Sequence, residues 1–104
     1  MSKQNANYLE IPRHLQRREP FRGHTMTADW MYGREILTHR HARRLVTSQL
    51  DEDAIEPNND YYVVWSYNLP IAIAHPEYGV IRNDDKISVT TTRHQNLARA
   101  WLKE

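Results

Sequence analysis

Cysteine is absent from the 104 residues. That excludes a disulfide scaffold, thiol redox chemistry, a cysteine nucleophile and a thiolate metal site. Glycine is scarce, with Gly23, Gly33 and Gly79 widely separated, so no glycine-rich loop can cradle a phosphate. Long hydrophobic runs are missing too. The longest spans residues 69–74 and contains Pro70, whereas a membrane-spanning helix needs about 20 apolar residues. The first seven residues lack the apolar core of a signal peptide. These absences point to a cytoplasmic protein with no targeting segment and no membrane partner.

What is present is polar. Hydrophobic residues make up 39% of the chain, and the mean hydropathy is −0.83. A chain of 12.4 kDa can still bury about two-thirds of its extended surface, enough for one modest core without staples. The net charge is +1, but it is unevenly spread. Residues 1–50 hold nine Lys or Arg against four Asp or Glu, and residues 51–104 hold five against nine. Such asymmetry marks either an acidic or nucleic-acid partner, or two halves that neutralise each other in the fold. A sequence pI near 8.1 lies below the value of about 9 usual for a dedicated nucleic-acid domain.

The chain divides into a basic N-terminal arm, residues 1–20, expected to be flexible, and a single α+β domain over residues 21–104. In the arm, Pro12 opens a stretch that is either one helical turn or extended. Residues 24–32 alternate, with Met26, Ala28, Trp30 and Tyr32 on one side, the mark of a half-buried strand. Gly33 closes it. Residues 38–50 predict a helix, because Ala42, Leu45, Val46 and Leu50 fall within an arc of about 140°. The acidic cluster Asp51, Glu52 and Asp53 opposes the helix dipole and should end it. Residues 61–67 are dense in β-branched and aromatic side chains and form the strongest strand candidate. Short breaks then predict strands at 71–75, 78–82 and 86–90, an antiparallel meander. Thr92 with Gln95 matches a capping box that opens a C-terminal helix. His94, Leu97, Ala98, Trp101 and Leu102 form its apolar face. The expected fold is an antiparallel sheet of four to five strands with this amphipathic helix on one face. The second helix lies at an edge or on the same face. Val64, Trp65, Ile71, Ile73, Val89, Leu97 and Trp101 should supply much of the core.

Ser66-Tyr67-Asn68-Leu69-Pro70-Ile71-Ala72 is followed by Ser88-Val89-Thr90-Thr91-Thr92-Arg93-His94-Gln95. This pair resembles a family of small uncharacterised proteins of actinobacterial phages, over roughly residues 61–98. Family members read Gly-Thr where this chain has Asn68 and Leu69, and Tyr where it has Ile87. The resemblance implies a phage origin and hence the host cytoplasm. It carries over no catalytic or binding residue.

No residue pattern demands catalysis. His39 and His41 are two apart, whereas helical metal pairs use three- or four-residue spacing, so no metal and no cofactor is expected. His94 with Ser88 or Thr92 would need an orienting acid within hydrogen-bond reach. Glu77, Asp84 and Asp85 fall in turns, where carboxylates serve local hydrogen bonds. The better lead is basic. Arg40, Arg43 and Arg44 share an arc of about 100° on the predicted helix, with His39 and His41 beside them. Arg17 and Arg18, with Arg13 and Arg22, are positioned to extend the patch. Guanidinium forks suit carboxylates and phosphates equally. The expected function is that of a non-enzymatic phage accessory protein binding a host or phage protein. The alternative is a nucleic-acid-binding module using the arginine face. A homodimer is compatible with either.

Overall fold

The computed structural model describes residues 4–104. The fold is α+β, built on three long strands. β3 spans Met26–Tyr32, β4 Asp60–Ser66 and β5 Leu69–His75, and all pair antiparallel. β6 (Gly79–Arg82) extends the meander. At the other side lie the two-residue strands β1 (Gln4–Asn5) and β2 (Phe21–Arg22). β2 is antiparallel to β3, and β1 is parallel to β2. The order across the sheet is therefore the order along the chain.

Alternation along β4 and β5 explains the layers. Tyr62, Val64, Ala72 and Ala74 face one core, and Tyr61, Val63 and Ile73 face another. Strands apolar on both faces need cover on both. Helix α4 (Val89–Trp101) and helix α1 (Ile11–Arg17) cover the first face through Ala98, Leu102, Ile11 and Leu15. Helices α2 (Gly33–Thr38) and α3 (Arg40–Thr47) cover the second through Ile36, Ala42, Leu45 and Val46. The second helix thus lies on the face opposite α4, not at an edge or beside it.

Four expectations are corrected. Within the expected arm, the described residues are folded in: Leu15 is 0% exposed, and His14 is buried and stacked on Phe21. A turn of helix with three buried side chains, Ile11, His14 and Leu15, is held by packing that its basic composition conceals. Residues 1–3 of that arm lie outside the described residues. The strand expected at 86–90 is absent: residues 83–88 form a loop and Val89 and Thr90 begin α4. The cap moves accordingly from Thr92 to Ser88, whose Oγ accepts the Thr91 N–H at 3.0 Å. Finally, Trp101 is 38% and Val89 80% exposed. The buried face of α4 runs through Thr91, His94, Gln95 and Ala98, with Leu102 taking the place expected of Trp101. Polar groups that find partners are buried here, so the apolar stripe on the wheel is misaligned with the true one.

Two local departures have simple causes. The predicted helix at 38–50 is split at His39, which is extended (φ −86°, ψ 120°) and caps α3 by accepting the Ala42 N–H on Nδ1. Gly33 does close β3 and at once starts α2. A Cβ there would lie 2.0 Å from the Glu56 carbonyl oxygen, so only glycine permits this approach. Pro70 sits in a bulge where the β4–β5 register shifts, a position that tolerates its missing donor.

Candidate functional site

α3 carries the basic site. Burial of Ala42, Leu45 and Val46 turns Arg40, His41, Arg43 and Arg44 to solvent. Arg40, Arg43, Arg44 and Thr47 line one groove of about 780 Å³ together with Leu37, Thr38 and Glu52. Arg43 donates through Nε and Nη2 to Glu52 Oε1. Among the described residues neither Arg40 nor Arg44 pairs with a carboxylate. His41 and Arg44 also border a second depression against Arg82 and Asp84.

The N-terminal arginines do not join this patch. Arg17 and Arg18 end α1, which packs on the opposite face of the sheet. Arg18 is also engaged structurally. Its backbone is left-handed (φ 52°), its Nη2 donates to the Lys103 carbonyl, and its own carbonyl accepts the Trp30 indole N–H. Arg13 pairs with Glu10. The exposed basic arc on α3 is therefore Arg40, His41, Arg43 and Arg44, without the N-terminal arginines. Glu52 and Leu37 were the members sequence reasoning missed. Sequence alone marks Glu52 as a helix terminator, and its fold-back onto Arg43 depends on the turn at Glu52–Ala54.

The candidate base behaves as a structural residue. His94 Nδ1 is hydrogen-bonded to Ser66 Oγ at 2.8 Å and Nε2 to Thr25 Oγ1 at 3.1 Å. Ser66 Oγ also meets Thr91 Oγ1 at 2.9 Å. Burial, followed by the nearby Arg93, holds the imidazole below its ordinary pKa. Ser66 is 1% exposed, so this hydroxyl is out of a substrate's reach. Ser88, the other candidate nucleophile, is the helix cap, and Thr92 is exposed. Asp84 pairs with Arg99 and lies beyond one end of β6, and Glu77 lies before the other. No acid–base pair is assembled from them. His39 and His41 stand with ring centroids 6.0 Å apart. Among the described residues no three His, Cys, Asp or Glu come together as metal ligands.

No helix of the described residues is long and apolar enough to cross a membrane. Neither the curated proteins nor the solved structures include a match to the chain. The profile of a family of unknown function, DUF8033, matches residues 40–101, from the first residue of α3 to the last of α4. The arginine helix, strands β4, β5 and β6 and the Ser66–His94 hydrogen bond lie within that span, and the chain belongs to this family.

Proposed function

We propose that this is a non-enzymatic phage accessory protein that binds another protein, of host or phage, in the host cytoplasm, through the exposed stripe of α3. The resemblance in the 61–98 region supports the phage setting. The binding mode rests on one observation. The arginine stripe is interrupted by the Glu52 carboxylate and includes the half-buried Leu37. A phosphate backbone would meet the neighbouring carboxylates Asp51, Glu52 and Asp53 with repulsion. A protein surface of mixed charge with apolar contacts complements all of these groups.

The test is charge reversal of Arg40, Arg43 and Arg44 together. Folding should survive, since solvated substitutions usually change stability by about 0.5 kcal/mol or less each. Wild-type protein is used to capture partners from infected host lysate. Each retained protein is then purified and titrated against both forms. The triple variant should bind about tenfold or more weakly. Unchanged affinity for every partner would remove the stripe from the function. Titration with duplex DNA separates the nucleic-acid reading. A slope of log affinity on log salt near −2.7, from about −0.9 per phosphate contact, would favour it over the protein reading.

A further inference from the structure

We infer, resting on the protein-binding reading of the stripe, that the α3 groove receives an acidic segment of the partner. Two carboxylates of that segment engage Arg40 and Arg44. Glu52 already fills the third guanidinium from within the chain.

Arg40 and Arg44 are four residues apart, which stacks them about one helical turn from each other on α3. Arg43 is exposed beside them, and all three line the groove with Leu37 and Glu52. Of the three, only Arg43 meets a carboxylate. Its Nε donates to Glu52 Oε1 at 2.8 Å, and its Nη2 donates to the same oxygen. Among the described residues no carboxylate pairs with Arg40 or Arg44. Residues 1–3 read Met-Ser-Lys and bring no acidic side chain that could do so. The chain therefore leaves two guanidinium charges of the groove without a carboxylate of their own.

Glu52 is the chain's own sample of what the groove takes. It comes from the turn at Glu52–Ala54, outside α3, and meets a guanidinium there through charge-assisted hydrogen bonds. A partner carboxylate at Arg40 or Arg44 repeats that contact, because each guanidinium presents its N–H donors as a planar fork that matches a carboxylate. With Arg43 satisfied, the stripe offers two separate charges one turn apart. Two carboxylates match them one for one. Acidic residues one turn apart on a helix, or two positions apart on a strand, have the required spacing of about 5–7 Å. Leu37, half-buried in the groove wall, adds apolar surface. A peptide segment covers it with an apolar side chain, whereas a phosphate would use the guanidinium forks alone.

The probe is a blocked, fluorescein-labelled, alanine-based helical peptide with two glutamates four positions apart and a leucine between them. Fluorescence anisotropy follows its titration with the full chain. The control peptide carries glutamine at both positions. The glutamate peptide should bind saturably and about tenfold more tightly than the control. Arg40→Gln and Arg44→Gln should each weaken it about threefold or more. Glu52→Gln should tighten it by about threefold, because Arg43 is released to the peptide and a repelling charge is removed. Equal binding of the two peptides would overturn the proposal, as would unchanged affinity in both arginine variants. No gain in Glu52→Gln would overturn the assignment of Glu52 as the internal occupant. Displacement of the peptide by inorganic phosphate, where acetate at equal ionic strength has no effect, would overturn it in favour of a phosphate site. Should a variant fail to fold, the two peptides on wild-type protein decide. Failure here stays distinct from failure of the protein-binding reading. A lysate partner lost on triple charge reversal, with the glutamate peptide unbound, would leave that reading standing and remove only the acidic segment.

Discussion

His94 shows how one residue links packing to pH. Its ring is buried, both nitrogens are hydrogen-bonded, and its folded pKa lies below the ordinary 6.5. Folding therefore favours the neutral imidazole. The stability this contributes is complete above about pH 6.5 and is lost as pH falls from there toward the folded pKa, because the unfolded chain takes up the proton first. The expected outcome is a stability gap between wild type and His94→Gln that is widest above about pH 6.5 and narrows on acidification. Denaturant melts of both proteins from about pH 8 to pH 5 measure it. A gap that widens toward low pH would mean the charged ring is the stabilised form. The sequence placed His94 on the inward face of the C-terminal helix. Its partners Thr25, in the bend before β3, and Ser66, at the end of β4, were out of view, because both are distant in the chain.

At the scale of elements, the start of α4 is the instructive case. Val89, Thr90, Thr91 and Thr92 carry strand propensity, yet all are helical. Propensity is a weak prior that tertiary contacts override. Here the contacts are Thr91 against Ser66 and the Gln95 amide. That amide donates to the Asn83 and Asp85 carbonyls at 2.7 and 3.0 Å and ties the loop to the helix. Ser88→Ala should cost about 1 kcal/mol through the lost cap. Thr92→Ala, at an exposed position inside the helix, should change stability by about 0.5 kcal/mol or less. Thermal melts of the two variants distinguish the caps, and the reverse ranking would restore Thr92 as the start of the helix. Strands 61–67 and 71–75 were legible because β-branched and aromatic density needs no partner to be read. The short strands β1 and β2 were not legible, since two residues carry no period.

Across the whole molecule, α1 decides whether the N-terminal segment is an arm or a wall of the core. Its contacts with Phe21, Met26 and Leu102 place it in the same cluster as the sheet. Leu15→Ala should therefore cost about 2–5 kcal/mol, seen as a lower denaturation midpoint. A cost near zero would return residues 4–20 to the status of an arm. The same scale explains how the sheet margins are closed. Where β3 runs beyond β2, the Trp30 and Tyr32 N–H groups donate to Asp29 Oδ1 and Glu35 Oε1. At β6, Glu104 Oε1 accepts the Val80 N–H and the Gln49 amide donates to the Arg82 carbonyl. Side chains that occupy edge groups discourage strand-to-strand association.

By itself the sequence determined the α+β class, the central strands, the presence of a C-terminal helix and the grouping of Arg40, Arg43 and Arg44 on one exposed side. All of these follow from local period and residue type, which act over a few positions. Only the tertiary structure decided that α3 and α4 lie on opposite faces, that Arg17 and Arg18 sit away from the stripe, and that Glu52 folds onto Arg43. Each of these depends on which distant surfaces bury one another, and burial is settled by shape and hydrogen-bond satisfaction over the whole chain. No short window of sequence contains that information.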